Sequence, residues 1–323
     1  MIAYQVAAND EIRQIFHRPR NNDRYDSTAQ GVLISAFAIF FPASKRPPPP
    51  WIHSASGWYR TRQLQYNMKK DKLMKNNPVL KVLSDLKSLS IPYFERRFEA
   101  QSLKADINRF IKPSDRQYNS ACECLKEFRQ TGKVESLLRL YSLETPFYSK
   151  VGGPEHCGAL LNPLSRKLNT LSDRHFKGTS YRGLSMTEED LEEYEEAMIQ
   201  GQKRSDSMIV LASFSSTSKD EYMAKVYANL KTTDGKIMIV FNCTFPKKCD
   251  TAISLYQVSE STTCISNFAD EEEVLLLPGT MFRVTKIDTI TDPPFTHIHL
   301  TNVVPELHLE VAIISALGKA IFS

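Results

Sequence analysis

The texture of the chain changes near Lys150, and that change decides the fold class. Before it, apolar residues recur at helical spacing. Leu80, Leu83 and Leu86 form one such stripe, and Phe94 to Phe110 mixes apolar and charged residues in a helical manner. Residues from about Gln63 to Arg139 are therefore expected to form several short helices. Beyond the turn Val151-Gly152-Gly153-Pro154, strand-like and turn-like segments take over. Helices followed by short strands predict an α+β chain rather than an alternating α/β sheet. No internal repeat is visible.

Ser185-Met186-Thr187-Glu188 reads as a capping box, opening a helix through Ile199 that Gly201 can close. Met208 to Ala212 reads as a strand running into a Ser-Thr-Ser turn. Asp234-Gly235 is a hairpin signal, followed by a strand over Lys236 to Phe241. Further strands are expected at Glu273 to Leu277, Met281 to Ile287 and His297 to Val304. Nearer the start, Pro47 to Pro50 must be extended and cannot join a helix or central strand. The apolar run Gly31 to Ala43 fits either a buried strand or part of a helix.

Charge is unevenly spread over the 323 residues. Up to Asp115 there are 19 Lys and Arg against 10 Asp and Glu, and beyond it 22 against 27. A basic front could attract nucleic acid, an acidic protein or a membrane surface, but solvated helix faces explain it more simply. The six cysteines are too few for a disulfide scaffold of this size, and Cys122-x-Cys124 lacks the spacing and partner pair of a zinc site. The histidines scatter, and His297-x-His299 would need more ligands nearby to bind zinc. The run from Gly31 to Ala43 is well short of the ~20 residues of a membrane helix, as is the apolar tail from Val311 to Phe322 with its Lys319. The opening lacks a basic-then-apolar leader. A cytoplasmic protein is the default expectation, with secretion as the alternative.

Three short stretches carry chemistry. In Tyr181-Arg182-Gly183, the guanidinium stays charged and can grip phosphate oxygens through paired hydrogen bonds, while Gly183 permits close approach to the backbone. In Phe214-Ser215-Ser216-Thr217-Ser218, small hydroxyls can bond nearby backbone and fix a rigid corner. No Gly-x-Ser-x-Gly elbow surrounds them, so a serine hydrolase is not indicated. In Glu271-Glu272-Glu273-Val274-Leu275-Leu276, an extended strand would put Glu271 and Glu273 on one face and Glu272 on the other. Two such carboxylates can divide labour, one stabilising a cation and one preparing a nucleophile. Taken singly, these are a surface arginine, a serine-rich loop and a solvated acidic bulge.

In this order and spacing, the three stretches resemble the arginine–serine–glutamate class of mono-ADP-ribosyltransferases. Lys177-Gly178-Thr179-Ser180 and Pro278 to Val284 also match. Leu140 to Tyr148 is similar to the helix before the family's core, and Ile265-Ser266-Asn267-Phe268 to the loop that meets its acceptor. The resemblance runs from about Val134 to Val304, and Arg182 excludes the histidine-bearing polymerase-type branch. It implies two small packed β-sheets forming an NAD cleft, preceded by helices. It further implies a catalytic domain over 116–305, between an N-terminal region (1–115) of unknown role and a tail (306–323).

The implied reaction is transfer of ADP-ribose from NAD to arginine side chains of an acceptor protein, with nicotinamide released. Arg182 would bind NAD, and the backbone at Gly183 would hold the nicotinamide amide. Ser216, selected over Ser215 by alignment on Phe214, would order the cleft. Glu273 would bind the ribose 2′-hydroxyl, and Glu271 marks arginine as the acceptor. NAD is the co-substrate, no metal is implied, and a monomer is expected. The alternatives are an NAD glycohydrolase and an inactive NAD-binding or scaffold protein with a basic binding region.

Overall fold

The computed structural model describes residues 37–40, 99–143, 145, 147, 158–203, 208–211, 214–230, 235–291 and 294–303. The Leu80–Leu86 stripe, the four prolines, the Val151–Pro154 turn and the tail at 306–323 lie outside the described residues.

The architecture is α+β. Four helices precede all the strands but β1: α1 over 99–110, α2 (Tyr118–Thr131), α3 (Glu135–Ser142) and α4 (Gly158–Lys167), the last running into a 3-10 segment, Leu168–Arg174. The first two bury stripes at helical spacing, whereas α3 buries six of its eight residues. Leu103, Ile107 and Ile111 supply one, and Ala121, Cys124, Leu125 and Phe128 the next. These residues share one core with Phe214, Leu275 and Leu277. The same core therefore lies on both sides of the boundary expected near residue 115.

The strands are β1 (Phe37–Phe40), β2 (His175–Met186), β3 (Met208–Leu211), β4 (Ser215–Ser218), β5 (Ile237–Ser254), β6 (Glu273–Leu276), β7 (Met281–Thr291) and β8 (Pro294–Asn302). Helix α5 (Glu188–Lys203) lies between β2 and β3, and α6 (Glu221–Leu230) between β4 and β5. Hydrogen bonding runs β1-β3-β7-β8-β5-β2-β4-β6, and β6 returns to pair with β5. All these pairs are antiparallel except β5 with β8. The apolar run that suited either strand or helix thus contributes a strand, β1, against β3.

Strand β5 serves both halves of the sheet system. Its first part pairs with β8, and its last residues, Ala252–Ser254, pair with β6. Between them the register against β2 slips on either side of Phe176, in the stretch of β5 that contains Pro246, which has no N–H to give a ladder. The halves pack across a second core that joins Val274 and Leu276 to Phe241, Phe282 and Ile298. Strand β6 therefore lies between two cores, with Leu275 facing the helices and Val274 and Leu276 facing the other sheet half. All three are 0% exposed. That explains an unbroken apolar run where a half-buried strand would alternate; each such burial contributes roughly 1.5–3 kcal/mol.

Three local expectations change. The helix cap is Thr187, not Ser185. The Thr187 Oγ1 accepts from the Asp190 N–H at 3.3 Å, and Asp190 Oδ2 accepts from the Thr187 N–H at 3.1 Å. Helix α5 starts two residues after β2 ends and continues past Gly201 to Lys203. Gly235, at φ 81°, links helix α6 to β5 rather than two strands. A helix occupies the space before it because Met223, Ala224 and Ala228 form one buried face. Ser215–Ser218 is a buried strand paired with β2 and β6, not a turn.

Candidate active site

Pairing brings the three stretches together. Tyr181 of β2 stands opposite Ser218 of β4, and Ser218 stands opposite Glu273 of β6. Ser216 is opposite Leu275, so Ser216 and Glu273 are diagonal neighbours on one face. The Ser216 hydroxyl donates to Glu273 Oε1 at 2.5 Å. Arg182 Nη1 donates to the Ser216 carbonyl at 3.0 Å, while its buried Nε has no hydrogen-bond partner among the described residues. The Ser216 and Ser218 hydroxyls thus reach across to Glu273 and Glu271, while Ser218 Oγ also accepts from the nearby Asp220 N–H at 2.9 Å. Thr217 Oγ1 likewise donates to the Val274 carbonyl at 2.7 Å.

Glu273 is 1% exposed, and its second oxygen, Oε2, accepts from the Ser266 hydroxyl at 3.0 Å. Charge-assisted bonds of this kind hold a buried carboxylate in one orientation. Ser266 belongs to the loop between β5 and β6, and its own Oγ accepts from the Phe268 N–H at 3.2 Å. Arg174, just before β2, anchors that loop. Its Nη2 donates to the Thr263 carbonyl at 2.6 Å, and its Nη1 to the carbonyls of Ser254 and Tyr256 at 3.3 and 3.4 Å. Burial lowers the pKa of this guanidinium, with Glu135 opposing.

Glu271 does not lie on a strand with Glu273 as expected. It ends a 3-10 turn, Ala269–Glu271, and Glu272 follows in the left-handed region at φ 44°. A non-glycine residue there is strained and needs surrounding contacts to hold it. The turn still leaves Glu271 buried and Glu272 partly exposed. The Glu271 carbonyl accepts from Ser218 Oγ at 2.7 Å, and its Oε1 accepts from the Tyr227 hydroxyl at 3.0 Å. Glu271 borders a small cavity with Arg182, Ser216, Ser218 and Tyr227.

Gly183 also borders that cavity, but the close approach it allows is that of a helix. A Cβ there would stand 1.6 Å from the Ala224 carbonyl oxygen and 2.7 Å from the Ala228 nitrogen of α6. The cluster therefore contains Arg182, Gly183, Ser216, Glu271 and Glu273, the residues singled out from sequence. Tyr227, Ser266, Ser218 and Arg174 join them without having been singled out. Ser266 falls within a run that matches the family, whereas Tyr227 carries no sequence signal because its partner is 44 residues away.

Such a cluster can bind an anion at Arg182 and present carboxylates to a developing cation. Cys243, near Arg182, is no nucleophile, since burial pushes its thiol up to about 12. Among the described residues, no three His, Cys, Asp or Glu side chains gather as a metal would require. His297 Nδ1 lies 3.4 Å from Asn242 Oδ1, and His299 Nε2 lies 3.1 Å from Asp288 Oδ2. Among the same residues, no helix is long and apolar enough to cross a membrane.

No protein-family model and no curated protein matches the sequence. The fold is similar to solved structures of ADP-ribosyltransferases. One is HopU1 of Pseudomonas syringae pv. tomato DC3000, at 17% identity over 61% of this chain and 87% of that one, with a TM-score of 0.39. Another is the Vis toxin of Vibrio splendidus, at 18% identity over 64% and 86%, with a TM-score of 0.32. A third is an ADP-ribosyltransferase of Clostridium botulinum, at 12% identity over 60% and 98%, with a TM-score of 0.36.

Proposed function

We propose that the chain is an NAD-dependent protein-arginine mono-ADP-ribosyltransferase, with its catalytic unit over 116–305. The observation that carries this reading is the chain of contacts from Arg182 to the Ser216 carbonyl and from the Ser216 hydroxyl to Glu273. It links an anion-binding group to a buried carboxylate through one serine.

In this reading Arg182 holds the pyrophosphate by charge and paired donors. Glu273 accepts the ribose 2′-hydroxyl and stabilises the positive charge that develops on the ribose. The bond from C1′ to nicotinamide breaks, and nicotinamide leaves with the electron pair. A guanidinium nitrogen of the acceptor arginine forms the new bond to C1′, and its proton passes to Glu271. Ser216 and Ser266 keep the Glu273 carboxylate in place throughout. If water took the place of the guanidinium, the same site would be a glycohydrolase.

The test is nicotinamide release from NAD with and without agmatine, comparing wild type with Glu273→Gln. Release that rises with agmatine, yields ADP-ribosyl-agmatine and vanishes in the variant is the expected result. Release indifferent to agmatine would make the chain a glycohydrolase, and no release would leave an NAD-binding or scaffold protein.

A further inference from the structure

We propose that Tyr227 is a positioning residue that orients the Glu271 carboxylate toward the acceptor guanidinium and so sets the balance of transfer over hydrolysis. The inference rests on the transferase reading above and adds a residue on a helix outside the three sequence stretches.

Glu271 is fixed at both ends. Its backbone carbonyl takes the Ser218 hydroxyl at 2.7 Å, and the left-handed Glu272 ends its turn. Its carboxylate takes the Tyr227 hydroxyl at 3.0 Å. Tyr227 in turn cannot drift. It lies on α6 between Ala224 and Ala228, both packed against Gly183 so closely that no Cβ fits there. The glycine after Arg182 thus brings α6 near enough for a tyrosine hydroxyl to reach Glu271. The terminal torsion of a glutamate is broad, so a bond at Oε1 narrows the orientation of the carboxylate plane. A guanidinium is planar and is best met by a carboxylate in its own plane. Water needs only one acceptor and tolerates many orientations. Losing the hydroxyl should therefore harm transfer more than hydrolysis.

The experiment uses the full chain, wild type and Tyr227→Phe, with NAD and agmatine. ADP-ribosyl-agmatine and ADP-ribose are quantified from the same reaction. The phenylalanine keeps the ring and its packing, so a merely structural role would leave the product ratio unmoved. The expected result is a fall of about ten-fold in the ratio of transfer to hydrolysis, the scale of one lost bond to a charged group. An unchanged ratio, whatever happens to total turnover, overturns the assignment of Tyr227 alone. A wild type that releases nicotinamide but makes no ADP-ribosyl-agmatine, or releases none, overturns the transferase reading and this inference with it.

Discussion

The Ser216 hydroxyl donates to Glu273 Oε1 at 2.5 Å, joining residues 57 positions apart through the pairing of β4 with β6. Ser216→Ala removes that donor and leaves a buried carboxylate with one fewer partner, a cost of about 1–3 kcal/mol. The expected outcome is roughly a ten- to hundred-fold fall in agmatine-dependent nicotinamide release. A variant with wild-type turnover would show that the bond is dispensable.

Glu271→Gln keeps the shape of the side chain but removes the group that would take the guanidinium proton. Transfer to agmatine is expected to vanish, and ADP-ribose formation to fall far less. Chromatography of both products checks this. Equal loss of the two activities would refute the division of roles between Glu271 and Glu273.

Arg174→Met tests the anchor of the Ser266 loop. The guanidinium serves three backbone carbonyls, and methionine fills the space while satisfying none. A loss of at least about 3 kcal/mol in unfolding free energy is expected, read from urea denaturation. An unchanged midpoint would mean that the loop holds itself.

Gly183→Ala would place a Cβ 1.6 Å from the Ala224 carbonyl oxygen, so α6 must move. Overpacking of this kind costs about 1–3 kcal/mol or more. Thermal unfolding should show a lowered midpoint. If the midpoint stays put, helix α6 does not need the close approach.

His297 gives a pH test with a definite sign. It is 5% exposed, and burial lowers its pKa, with Lys225 and His299 adding to the effect and Glu221 and Asp288 opposing it. The unfolded chain then binds this proton more readily than the folded one. Stability is fully present above the ordinary histidine value of about 6.5 and falls as pH drops below it toward the lowered folded value. His297→Gln should flatten that fall in urea titrations. Parallel curves for variant and wild type would assign the pH dependence to other groups.

The sequence by itself carried a helical block ahead of most of the strands, the strand positions of β6 to β8 to within a few residues, the start of β5 but not its extension to Ser254, and the five residues of the candidate cluster. These are local signals: periodicity, a run of apolar residues, a motif of three to six positions. Even locally they misled where a neighbour outcompeted them. Ser185 lost the cap to Thr187 because β2 continues through Met186. Residues 215 to 218 form a strand because β2 and β6 lie on either side to pair with them. Glu271 left the strand because its turn closes back on Phe268, whose carbonyl accepts the Glu271 N–H at 3.2 Å.

Only the tertiary structure decided how those residues meet. Val274, Leu275 and Leu276 read as a buried strand from sequence, but which core each faces follows from having sheet on one side and helices on the other. Ser266, Tyr227 and Arg174 bond partners 7, 44 and up to 89 residues distant. A hydrogen bond needs about 3 Å and a direction, and sequence spacing sets neither once the chain has turned. Motifs name the chemistry a chain can do; register, helix packing and the loops they anchor decide which oxygen faces which donor.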